Sequence, residues 1–193
     1  MRLDRPAYGR RWLLGSASSV VALVLIASAS GQAQQRAGGA AAGASVDRGK
    51  YLVNITGCHD CHSPKIKGMT PDLTRALSGR PATTPLPSPT TTEVHASADL
   101  TAWNGPWGFS VASNLTPDAA TGIGTRYTEA SFVTTMRTGK KPNGTAILPP
   151  MPSEVYQNMT DDDLKAIFAY LRTIKPIRNP VLAGLPPPIP PKP

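Results

Sequence analysis

Apolar positions with helical spacing gather in three places, separated by long polar stretches rich in proline. The run Asp47 to Ile55 has an acidic start and apolar residues at Tyr51, Leu52 and Ile55, which predicts a short amphipathic helix. A second helix is predicted over Thr128 to Arg137, capped by Thr128 and stopped at Gly139. The third follows Thr160-Asp161-Asp162-Asp163, which resembles a capping box with Asp in its last place. Leu164, Ile167, Phe168 and Leu171 then fall at i, i+3, i+4 and i+7, Tyr170 and Ile174 widen the stripe, and Pro176 ends it. Strand-like alternation is absent, so the expected fold class is all-α, three to five short helices with long loops. Residues 65–126 form a connection far beyond ordinary loop length, with Pro81, Pro85, Pro87 and Pro89 in one stretch. It is read either as a functional cover or docking surface or as surface padding.

The ends have a different character. Arg10 and Arg11 precede an uncharged apolar stretch, residues 12–29, and then small and polar residues. Residues 1–33 therefore read as an export signal with A-x-A-like sites at Ala27/Ala29 or Gly31/Ala33, or as an uncleaved membrane anchor of minimal length. Either reading places the body outside the cytoplasm. Residues 34–45 read as a flexible linker, 46–178 as the domain and 179–193 as a proline-rich tail. The composition, 193 residues with 40% apolar, 17% charged, 21 prolines and 17 glycines, fits one loop-rich domain and excludes coiled coils and collagen. The net charge of +8 drops to +5 without residues 1–33. That surplus is too diffuse for nucleic acid and favours acidic protein partners or anionic surfaces.

Both cysteines of the chain lie in Cys58-His59-Asp60-Cys61-His62, the C-x-x-C-H pattern of covalent haem attachment. One helical turn puts both sulfurs on the same side, where they form thioethers with the two haem vinyl groups, and His62 sits under the iron. A C-x-x-C disulfide is the rival reading, but a thioredoxin-like fold needs βαβ strands. A closed zinc site wants four ligands, and the remaining histidines are His59 and His95.

Haem iron held by one histidine needs a second axial ligand for electron transfer, or an open position for gas binding or catalysis. Met136 sits on a helix, where core packing accounts for it, and Met159 precedes the Thr160 cap at a staple position. Met69 follows His62 by seven residues, a short reach to the opposite face. Met151, in Leu148-Pro149-Pro150-Met151-Pro152, lies on a backbone that prolines keep extended. Met151 is the assigned metal ligand beside His62, with Met159 and Met69 as alternatives and His95 as the bis-histidine alternative.

Over residues 46 to about 175 the order of these features resembles class I cytochromes c. Gly105-Pro106-Trp107-Gly108, Asn114-Leu115-Thr116-Pro117-Asp118, Thr121-Gly122-Ile123-Gly124, Arg137-Thr138-Gly139 and Met151-Pro152 are similar to bacterial cytochrome subunits of membrane-linked dehydrogenases. The resemblance implies a crossing of the first and last helices near Gly49 and Tyr170. It also implies a propionate partner before the middle helix, where Tyr127 stands in place of the usual Trp, with Trp107 as its rival. It implies one covalent haem c per chain, held through Cys58, Cys61 and His62. The function then expected is a periplasmic electron carrier between a dehydrogenase donor and a respiratory acceptor, with no substrate chemistry of its own. Lys140, Lys141, Lys65 and Lys67 would form a basic docking rim. Two other readings stand beside it: a haem enzyme or gas sensor with an open or labile sixth position, and a subunit of a dehydrogenase complex tethered through residues 12–29.

Overall fold

The computed structural model describes residues 45–182, which fall within one compact unit. Residues 1–44, including those read as an export signal or anchor, and residues 183–193 lie outside the described residues. Helix α1 covers residues 45–55 and α2 covers Cys58–His62, followed by a single 3-10 turn at Leu73–Arg75. Helices α3 (Glu129–Thr138), α4 (Ser153–Tyr156) and α5 (Asp161–Leu171) complete the helical set. No helix among the described residues is long and apolar enough to cross a membrane.

The fold is not purely α-helical. The long connection contains a three-stranded antiparallel sheet in the order β1 (His95–Ala96), β2 (Ala102–Gly105), β3 (Gly108–Val111). Alternation failed to reveal it because all four β2 residues are buried and all four β3 residues are half-buried, so neither strand has a polar face. The available signal was the turn. Gly105 pairs with Gly108 across Pro106 and Trp107, with proline at the second turn position and a glycine at φ +88° closing it.

Two helix predictions hold closely. Thr128 caps α3 in a full capping box with Ser131, and Gly139 ends it in the left-handed region, at φ +66°. Leu164, Ile167, Phe168 and Leu171 are the buried face of α5, and Thr160 accepts from the Asp163 amide as its cap. Helix α1 differs from its prediction. Leu52 and Val53 are buried with Gly49, whereas Tyr51 and Ile55 face outward. The reason is the crossing: a Cβ on Gly49 would stand 1.9 Å from the Ala166 carbonyl oxygen and 2.8 Å from Tyr170 Cβ, so α5 lies directly on that face. Tyr51 turns to the surface, where the Arg48 guanidinium stacks on its ring.

Beyond α5 the chain stays on the body. Asn179 and Val181, within the stretch read as tail, are buried. Asn179 Nδ2 donates to the carbonyls of Ser78 and Arg80, and Arg80 donates to the carbonyl of Val181.

Two ion pairs fasten the helices at the surface. Arg48 of α1 holds Asp163, and Arg137 of α3 holds Asp161 and the Gln157 carbonyl. The arginine partners hold both carboxyls below the ordinary carboxylate range. Their stabilisation is therefore complete above about pH 4 and drains as pH falls through the lowered folded values. Urea midpoints at pH 6 and pH 3 should show a smaller acid loss for Arg48→Gln/Arg137→Gln than for wild type; equal losses would show that neither pair contributes. Gly49→Ala should lower the stability of the haem-loaded protein by about 1–3 kcal/mol through overpacking of the α1–α5 crossing. An unchanged denaturation midpoint would mean that the crossing yields freely.

Candidate haem site

The attachment segment sits at a corner. Helix α1 ends with the Thr56 amide on the Leu52 carbonyl, Gly57 turns the chain at φ +73°, and α2 begins at Cys58. Both thiols are free and half-buried, Cys58 beside the Thr56 hydroxyl at 3.4 Å. Burial pushes both thiol pKa values up, towards the neutral thiol.

His62 is fixed from the far side of the connection. Its Nδ1 lies 2.8 Å from the Ser113 carbonyl oxygen, which can only accept, so the bond places the proton on Nδ1 and leaves the Nε2 lone pair free. Burial pushes the imidazole pKa down and keeps the ring neutral, as a metal ligand requires. The Gly79 amide donates to the His62 carbonyl at 2.7 Å. Buried Ser63 accepts from the Leu77 amide and contacts His59 Nδ1.

Ser113 was not singled out in the sequence, but the motif that follows it explains its rigidity. Asn114 Oδ1 accepts from the Thr116 amide and hydroxyl, and its Nδ2 donates to Thr121 and to the Ile177 carbonyl. Asp118 accepts from the hydroxyl and amide of Thr121, which hold its carboxyl below the ordinary range. Gly122 fits because a Cβ there would stand 2.0 Å from the Thr116 carbonyl oxygen. Asn114 and Thr116 are completely buried and fully hydrogen-bonded, a network that rigidifies its surroundings.

The candidate ligands are dispersed. Met136 is core, Met69 is exposed on the loop after α2, and His95 lies on β1 with Nε2 on Glu93 and Nδ1 on the Ser88 carbonyl. Met151 and Met159 are both half-buried against the core. Tyr127 is half-buried with its ring edge-on to Phe132, and burial raises its phenol. Trp107 donates its indole N–H to Ser110 at 3.2 Å.

Tyr156 and Lys65 have roles that the sequence did not disclose. The Tyr156 hydroxyl donates to the Thr56 carbonyl at 2.7 Å, tying α4 to the corner between α1 and α2. Lys65 is half-buried, and its ammonium donates to the carbonyls of Asp60 (2.6 Å), Ser63 (2.8 Å) and His59 (3.3 Å), capping the negative end of α2. Lys141 is half-buried as well, which leaves Lys67 and Lys140 as the exposed members of the expected rim.

These residues fit a haem. Two thiols one helical turn apart adjoin an imidazole whose Nε2 the Nδ1 bond leaves free, and half-buried apolar residues, Cys58, Leu115, Tyr127, Met151 and Met159 among them, pack against the core. Residues 46–175 match the cytochrome c family. The chain is 33% identical over 127 residues to the gluconate 2-dehydrogenase cytochrome c subunit of Pantoea cypripedii, covering 66% of this chain and 22% of that protein. It is 29% identical over 137 residues to the fructose dehydrogenase cytochrome subunit of Gluconobacter japonicus, covering 70% and 23%. A third relative, the cytochrome c subunit of the quinone alcohol dehydrogenase of Gluconacetobacter polyoxogenes, is 38% identical over 76 residues, covering 39% and 16%. The chain thus spans less than a quarter of the length of these relatives. The matched region contains the whole attachment corner and all five helices apart from the first residue of α1, and it makes the chain a member of the cytochrome c family with covalently bound haem c.

Proposed function

We propose that this chain is a periplasmic monohaem electron carrier that takes single electrons from a dehydrogenase and passes them to a respiratory acceptor, with His62 and Met151 as the axial ligands. The observation that carries the reading is His62, neutral and oriented by the Ser113 carbonyl with Nε2 free. Met151 is the second ligand because it is half-buried against the core on a loop whose prolines fix its backbone, whereas Met159 is accounted for as the residue leading into the α5 cap. The haem supplies the one-electron couple, and His/Met ligation sets a higher potential than two histidines would. The protein's residues keep the ligands fixed, so little rearrangement accompanies each electron. Tyr127 and Trp107 both remain candidate propionate partners: the Trp107 N–H donates to Ser110, and the Tyr127 phenol meets the Thr135 side chain.

The names of the relatives support a dehydrogenase as donor, and they favour a second reading in which the chain is a fixed subunit of such a complex. An export signal or anchor in residues 1–33 underlies the proposed location.

Two measurements test this. Ferrous wild-type protein, matured with haem attachment, should not bind carbon monoxide, and Met151→Ala should. Binding by wild type would favour the gas-sensor or enzyme reading, and a closed iron in Met151→Ala would move the assignment to Met159. For a diffusing carrier, transfer to an acidic redox partner should slow as ionic strength rises, with a shallower slope in Lys67→Gln/Lys140→Gln. A rate independent of salt would overturn the diffusing carrier and leave the fixed subunit.

A further inference from the structure

We propose that the β2–β3 hairpin is a clamp on the methionine loop, with Ser110 as a positioning residue for Met151; this rests on Met151 being the ligand. The loop has few means to hold its own first half. Pro149, Pro150 and Pro152 have no N–H, and within Leu148 to Pro152 the backbone makes one long bond, from the Met151 amide to the Leu148 carbonyl at 3.4 Å. A stretch so poor in donors is fixed from outside through its carbonyls: at its far end the Ser153 amide donates to the Met151 carbonyl at 2.8 Å, and the Val155 and Tyr156 amides donate to the Pro152 carbonyl. Among the described residues, the side chain that does so is Ser110, whose Oγ donates to the Pro149 carbonyl at 2.5 Å across 39 residues of sequence.

The hairpin is built to aim that hydroxyl. The Trp107 indole N–H donates to Ser110 Oγ, which directs the hydroxyl proton away from Trp107 and towards Pro149. Trp107 is seated on Gly105, where a Cβ would lie 2.7 Å from the ring. Ser110 itself pairs with Trp103, a buried residue of β2. Gly105, Trp107, Ser110 and Pro149 thus form one continuous support that ends two residues before the thioether. A sulfur held at the iron by such a support resists replacement by an outside ligand; a loosened loop lets the outside ligand compete.

The test is a spectroscopic titration of the ferric haem-loaded protein with imidazole, together with amide hydrogen exchange at Leu148 and Met151. Ser110→Ala should bind imidazole about three- to tenfold more tightly, the scale of one lost hydrogen bond, and exchange faster at both amides. Ser110→Thr, which keeps a hydroxyl on the strand, should return both readouts towards wild type, and Trp107→Phe should fall between. Wild-type behaviour of Ser110→Ala and Trp107→Phe, alongside an opened iron in Met151→Ala, overturns the clamp and leaves the ligand assignment standing. Wild-type imidazole affinity in Met151→Ala removes the assignment and the clamp with it. If Ser110→Ala fails to fold, Trp107→Phe and Ser110→Thr decide, and matching wild type in both titration and exchange at Trp107→Phe counts against the clamp.

Discussion

The hydrogen bond from His62 Nδ1 to the Ser113 carbonyl is the constraint around which the rest is arranged. Two thioether positions and a histidine in five residues fix where the attachment helix sits, but they leave the imidazole plane free to turn. A carbonyl from 51 residues away removes that freedom, and it does so only if its own segment is immobile. Asn114 and Thr116, both buried, provide this from a hydrogen-bond network that reaches outward to Ile177 and, through Thr121, to the Asn179 amide beyond α5. The chain after the last helix is therefore part of the histidine's support.

In the proposed His62/Met151 site, the two sides are held by different physics. The histidine side uses buried side-chain amides and hydroxyls that satisfy one another, which is rigid because breaking one member strands its partner in a low-dielectric surrounding. The methionine side uses proline, which narrows the backbone by covalent geometry but removes the donors that would let a loop cross-link itself. The long connection serves both sides: its last part carries Ser113 and Asn114, and its middle part carries the hairpin whose Ser110 meets Pro149. This accounts for much of its length without invoking padding.

Helical periodicity made α3 and α5 legible because both bury one face against one core and are closed by local chemistry at their ends. The same reasoning misplaced the buried face of α1, since Gly49 carries no hydropathy and yet decides which side meets α5. Strands buried on both sides or on neither leave no alternation, so the sheet was visible only through its turn residues. The attachment residues were legible because covalent chemistry imposes a fixed spacing. Ser113 was not, because it acts through its carbonyl, a group that every residue type possesses. The role of Lys65 at the end of α2 was hidden for a related reason: sequence reports its charge but not that three carbonyls surround it.

The position of Lys65 changes how the basic surplus should be understood. An ammonium at the carbonyl end of α2 offsets the negative end of that helix, and its donors are engaged by the protein. Lys141 is half-buried as well, so two of the four lysines of the expected rim are partly withdrawn from solvent. The stretch after α2 exposes Ile66, Met69 and Leu73, which lie 61%, 54% and 72% open. Apolar contact adds little to long-range attraction, whereas Lys67 and Lys140 retain it. In the proposed diffusing carrier, the exposed cations would set how fast a partner arrives, and the exposed apolar side chains how long it stays.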